Sequence, residues 1–262
     1  RRLLAPIADA WTPLAELLAP LALPALFFVI LFSLTPFARH SGRDLITVDP
    51  TVWRMVAWQQ IVLPTIVVAL AILARLPDSI ISLTIVTACA GSLFASPALA
   101  GLLNLDSRRA LQSMVLSTLL MPIALYAFLS AMQSGSVKLQ LGAYAYRVFV
   151  YLLLPFALFG VYRIATMPLP QVFIDRVSAA SRWLALAALL VFGIGIMDPV
   201  SHQIVEDPLK IVFYLTISVT LTTGMLIFTT VVMNRYGFKE ALTAGILSGF
   251  RNVGLGLALV GD

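Results

Sequence analysis

Long apolar runs separated by short charged connections set the pattern of this chain. Stretches free of Asp, Glu, Lys and Arg cover 17–38, 55–74, 79–105, 110–137, 148–162, 183–197 and 211–234, and a last apolar stretch, 240–262, bounded by Glu240 and Asp262, is broken by Arg251. A helix needs about 20 predominantly apolar residues to span a bilayer. The pattern therefore predicts eight membrane segments. The two short runs reach spanning length by extending 148–162 toward Thr166 and by tilt or local thinning at 183–197. The first sixteen residues carry Arg1, Arg2, Asp9 and Glu16, so they predict an interfacial approach helix. No stretch shows strict strand alternation, which argues against a β-barrel.

Composition sharpens this picture. The 262 residues are 60% hydrophobic and 11% charged, with a mean hydropathy of +0.99. Soluble domains carry about 25% charged residues; this chain has too few charges to cover a globular surface, so lipid is its expected solvent. The lone Cys89 excludes an internal disulfide or a cysteine cluster. His40 and His202 lie far apart in polar connections. No nucleophile–base pair, metal-ligand spacing or phosphate loop is present, and Gly254-x-Gly256 lacks a preceding strand. No enzyme activity and no cofactor are expected. Trp11, Trp53 and Trp183 suit interface anchors.

The net charge of +5 reads as topology rather than as nucleic-acid binding. Connections 39–54, 106–109, 163–182 and 235–239 alternate to one face and carry Arg39, Arg43, Arg54, Arg108, Arg109, Arg163, Arg176, Arg182, Arg235 and Lys239. The other face receives Arg1, Arg2, Arg75, Lys138, Arg147 and Lys210. Cytoplasmic loops of membrane proteins are the Lys/Arg-rich ones. The first face is expected in the cytoplasm of a cell with this protein in its inner (plasma) membrane.

Prolines recur within the segments, at Pro20, Pro24, Pro64, Pro97, Pro122 and Pro155, as kinked membrane helices tolerate. Two segments go further. In "IVTACAGSLFASPALAGLLN", 85–104, small and polar residues surround Ser92 and Ser96, and Pro97 predicts a helix break near Ser96. In "GILSGFRNVGLGLALVGD", 245–262, Gly245, Gly249, Gly254 and Gly256 surround Arg251 and Asn252. Small residues also serve plain helix packing. Interrupted segments in corresponding positions of two halves, however, point to a transporter's binding site. A charge at mid-segment costs several kcal/mol and normally faces a cavity or a partner, which makes Arg251 the residue that favours the second reading. A salt bridge is the alternative role for Arg251, and acids outside the loops are scarce.

"WQQIVLP", "ACAGSLFASPALAGLLNLD", "VLSTLLMP" and "SGFRNVGLGLALV" together resemble the bile acid:sodium symporter family, from about Pro20 to the end of the chain. The resemblance implies an all-α integral membrane fold of two inverted five-helix repeats. Their fourth and ninth helices are broken and cross, and a core domain moves against a panel domain. The segments here would be helices two to nine. The first repeat would be 1–133, lacking its first helix, with crossover helix 79–104. The second would be 134–262, lacking its last, with crossover helix 240–262. A first helix would then precede these residues, unless it is absent as in some eukaryotic members, and a tenth would follow Asp262.

The family's sodium ligands carry over only in part. Gln59, five residues before Pro64, matches the helix-three glutamine. Ser113, Ser117 or Thr118 match its helix-five hydroxyls. The Ser-Asn of the first break becomes Ser96-Pro97, the glutamate position falls on Leu247, and Gln-Asn becomes Arg251-Asn252. Sodium favours oxygen ligands with an anionic carboxylate, so the residual site of Gln59, Ser113, Ser117 and Thr118 should bind Na+ poorly. Arg251 would supply the missing positive charge, hold the crossover through backbone carbonyls and the Ser96 hydroxyl, and attract an anion. The expected function is secondary active or facilitative transport of a small organic anion by alternating access, with Ser92, Ser96, Pro97, Arg251 and Asn252 at the crossover. The alternatives are a sodium-coupled symporter, with Glu240 or Asp262 as candidate acids, and a non-transporting sensor or scaffold module.

Overall fold

The computed structural model describes residues 49–132, 140–166, 170–195 and 207–260, with single positions between 13 and 28. The expected approach helix and the expected first span, 17–38, lie outside the continuously described residues. Among the described residues nine helices follow one another: α1 Pro50–Leu73, α2 Asp78–Cys89, α3 Ser96–Leu102, α4 Ser107–Ala131, α5 Leu141–Thr166, α6 Gln171–Gly195, α7 Pro208–Met233, α8 Phe238–Gly249 and α9 Val253–Val260. The same residues contain no strand. Five helical stretches are long and apolar enough to cross a membrane: Pro50–Leu73, Ser107–Ala131, Leu141–Thr166, Asp175–Ile194 and Leu209–Tyr236. Their outward faces carry exposed leucine, isoleucine, valine and phenylalanine, such as Leu73, Ile123, Ile164, Leu190 and Val231. That is the make-up of a multi-pass membrane protein.

The helix starts follow local chemistry. Asp49 accepts from the Thr51 amide at 2.9 Å and precedes Pro50, which lacks the donor that a first-turn residue would leave unused. Asp106 accepts from the Arg109 amide at 3.0 Å and caps α4. Gly237, at φ 106°, turns the chain from the short 3-10 helix Asn234–Tyr236 into α8.

The chain forms two compact units. One comprises Arg1–Arg39 and Phe149–Val219, and the other His40–Val148 and Thr220–Asp262. Each draws on both halves of the sequence. The second unit contains α1 to α4, the start of α5, the end of α7, and α8 and α9. Within it α1 packs on α2, α3 on α4, and α9 on α2. Leu63 of α1, Ala88 of α2 and Met225 of α7 form a fully apolar cluster with Trp58, Val67 and Leu221 around it.

The two predicted interruptions are real breaks. The first falls earlier than Pro97 predicts: α2 ends at Cys89, residues 90–95 are unwound, and α3 restarts at Ser96. Pro97 sits in the first turn of α3, where a missing N–H costs nothing. It starts the second half-helix rather than breaking the first. The second break lies between Gly249 and Val253.

Candidate functional site

The two breaks meet inside the second unit. Ser92 and Arg251 pair as an isolated antiparallel bridge. Leu93 N–H donates to Phe250 O at 2.8 Å, and Asn252 N–H donates to Gly91 O at 2.8 Å. The unwound backbone of each segment thus satisfies the other, as non-helical backbone at membrane depth requires a partner. Gly91 lets α4 come this close. A Cβ there would lie 2.9 Å from the Thr118 Cα and 2.8 Å from its hydroxyl.

α2 and α8 both end at this crossing, so their unpaired carbonyls and the negative ends of their dipoles converge. Arg251 sits among them, only 7% exposed. Its Nε donates to Ser248 O at 2.8 Å and its Nη1 to Ala90 O at 2.7 Å. Its Nη2 donates to Gln59 O at 3.2 Å. No carboxylate bonds it among the described residues, and neither does Ser96. The Ser96 hydroxyl, fully buried, has no partner among those residues, so the expected bond from Arg251 to Ser96 is replaced by one to Gln59.

The Gln59 carbonyl is available because of Pro64. Residues Trp58–Val62 form a π turn, in which Leu63 N–H bonds Trp58 O. In that register Gln59 O should receive the amide of residue 64, and proline has none. The guanidinium fills the vacancy. The wide turn also carries Gln59 and Gln60 inward, both buried. Gln60 Nε2 donates to Ser117 O at 3.0 Å.

Side chains complete the crossing. Ser92 Oγ lies 2.9 Å from Leu247 O and 3.0 Å from Gln59 Oε1. Ser117 Oγ accepts from Ser92 N–H at 3.3 Å. Asn252 caps α9, its Oδ1 accepting from Leu255 N–H at 3.2 Å. Of the residues expected at a residual cation site, Gln59 and Ser117 reach the crossing and Thr118 lies against Gly91. Ser113 does not: its hydroxyl points at Met55 Sδ, 3.7 Å away. Leu247, where the resemblance leads one to expect a glutamate, is fully buried and contributes only its carbonyl. Gln60 and Ser248 belong to the site by position. The adjacent "QQ" was the available signal for Gln60, two amides side by side in an apolar segment.

A second polar cluster closes one end of the same unit. Arg109 of α4 pairs with Asp49 at 2.9 Å, Asp106 at 3.4 Å and Glu240 of α8 at 2.9 Å. Glu240 also pairs with Arg54 of α1 at 3.0 Å, and Arg54 lies over the Tyr236 ring at 3.7 Å. The Thr51 amide first, and Arg109 after it, hold the Asp49 carboxyl below its ordinary value against a smaller opposing effect of desolvation. Beneath these pairs lies a cavity of about 310 Å³ lined by Met55, Asp106, Arg109, Lys239, Glu240 and Thr243. The cluster joins residues from the connections before α1, before α4 and before α8, three segments whose polar ends the charge pattern assigns to one face.

The geometry defines a class: a multi-pass helical membrane protein with two interrupted helices joined at their breaks by a buried arginine. No protein-family model and no curated protein sequence matches the chain.

Proposed function

We propose that this chain is a secondary active or facilitative transporter of a small organic anion, similar to the bile acid:sodium symporter family in its inverted repeats and alternating access. In this reading Arg251 stands where related carriers hold sodium. The observation that carries it is the placement of one guanidinium on the carbonyls of Ser248, Ala90 and Gln59, where two half-helices end. A fixed cation there neutralises the converging dipoles as a bound metal ion would. A guanidinium has five N–H groups, and three bonds to carbonyls leave two to attract a carboxylate or phosphate. Glu240 is committed to Arg54 and Arg109, which argues against it as a sodium ligand and favours a sodium-independent carrier. The ion pairs that gather 49–54, 106–109 and 239–240 at one end support a cytoplasmic placement of that end in the inner (plasma) membrane.

The test is thermal unfolding of the detergent-solubilised protein in sodium, potassium and choline chloride at matched ionic strength, followed by uptake of organic anions into proteoliposomes. A ligand that binds the folded state alone raises its stability by RT ln(1 + [L]/Kd). Equal unfolding in the three salts and sodium-independent uptake are expected. A saturable, sodium-specific rise would return the site to sodium coupling, and absence of uptake across an anion panel would favour a sensor or scaffold.

A further inference from the structure

Several buried polar atoms around the crossing have no protein partner. Gln59 Nε2, Gln60 Oε1, Thr118 Oγ1 and Ser248 Oγ are all inaccessible and unbonded among the described residues. An unpaired buried polar group is destabilising, and buried water is the ordinary remedy. Water must have a way in, and the ion-paired end of the unit offers one. The helices that line the cavity there, α1, α4 and α8, also line the crossing. On α4, Arg109, Ser113 and Ser117 follow at four-residue spacing and share one face. On α1, Met55 and Gln59 do the same. Arg109 and Met55 line the cavity, while Ser117 and Gln59 reach Ser92 at the crossing. Ser113 stands between, against the Met55 sulfur, one helical turn of about 6 Å from Ser117. On α1 and α4, Met55 and Ser113 are thus the residues that stand between the cavity and the crossing.

We propose that the crossing is a hydration site and that the cavity under Arg109 and Glu240 is its mouth, with the flexible Met55 thioether as the closure. The ligand is water, held by the unpaired amide and hydroxyl groups of Gln59, Gln60, Thr118 and Ser248. The path runs inside the second unit. It is independent of what the protein carries, and its test needs no transport.

Hydroxyl-radical footprinting in lipid nanodiscs reads it directly, because radicals generated from bound water oxidise nearby methionines. Met55 (2% exposed), Met121 (0%) and Met225 (2%) are equally buried. Met121 accepts the Gly91 amide at 3.0 Å, beside the crossing, whereas Met225 sits in the apolar cluster with Leu63 and Ala88. In the wild-type protein, Met55 and Met121 should oxidise several-fold faster than Met225. Met55→Ala should raise the rate at Met121 further, and Met55→Leu, which keeps the closure, should not. Oxidation of Met55 and Met121 as slow as that of Met225 would overturn the hydration site, whether or not the variants fold. An unchanged Met121 rate in folded Met55→Ala would overturn the role of Met55.

Discussion

Ser92 and Arg251, 159 positions apart in the chain, face each other across a two-residue antiparallel contact whose flanking bonds, Leu93 to Phe250 and Asn252 to Gly91, are both 2.8 Å. Neither segment can be unwound at that depth without the other. Arg251 then adds three bonds to carbonyls that no helix satisfies, which makes it the residue on which the crossing most depends.

Replacing Arg251 by Met removes all three bonds and leaves Ser248 O, Ala90 O and Gln59 O unpaired. With about 1–3 kcal/mol per unsatisfied buried group, a loss of several kcal/mol is expected in reversible unfolding in mixed micelles. Arg251→Lys restores a charge but not a planar fork, and should recover only part of it. A variant as stable as the wild type would show that the guanidinium does not hold the crossing.

Pro64→Ala supplies the amide that Gln59 O lacks. The carbonyl then has a helical partner and needs Arg251 less. A double-mutant cycle between Pro64→Ala and Arg251→Met should give a coupling of at least about 0.5 kcal/mol. Strict additivity would mean that the proline does not create the acceptor.

Gly91→Ala drives a methyl into the α4 backbone at Thr118. Overpacking of this kind costs typically about 1–3 kcal/mol. Adding Thr118→Ala removes the hydroxyl but leaves the methyl pressed against the backbone of residue 118, so the double variant should regain only part of the loss in the same unfolding assay. Full recovery would place the whole clash on the hydroxyl.

Arg109 joins three carboxylates while remaining about one-third exposed (32%). Solvent screening keeps each pair weak, so Arg109→Gln should cost about 1 kcal/mol, and less as salt is added. A salt-independent loss would point to packing instead of charge.

Asp49 gives the ion-paired end a pH dependence of known sign. Its carboxyl is held below the ordinary 3.8 in the folded chain. Its stabilisation is therefore present above the unfolded value and is lost as pH falls through the lower folded one. Asp49→Asn should flatten the acid limb of a stability–pH profile below about pH 4, because it lowers stability at neutral pH and leaves it little changed in acid. An identical acid limb in the variant would remove Asp49 from the linkage.

The spans at 55–74, 110–137, 148–162 and 211–234 were legible in the chain because a spanning helix must be apolar over a fixed length, and burial in lipid depends on no partner. The two interruptions were legible too, since proline, glycine and a lone arginine are costly in an ordinary span. Their placement was not. Pro97 alone cannot distinguish a break before it from a break at it, and the answer came from the pairing of 91–93 with 250–252. The acceptors of Arg251 were equally hidden, because a backbone carbonyl has no sequence signature and the one at Gln59 is freed by a π turn. Glu240 reads in sequence as a candidate acid at the start of the last segment; only the meeting of α1, α4 and α8 makes it the partner of Arg54 and Arg109. Local composition determined which segments enter the membrane and where they weaken. Tertiary packing decided which weakened backbones satisfy one another, because those hydrogen bonds join residues that no local rule relates.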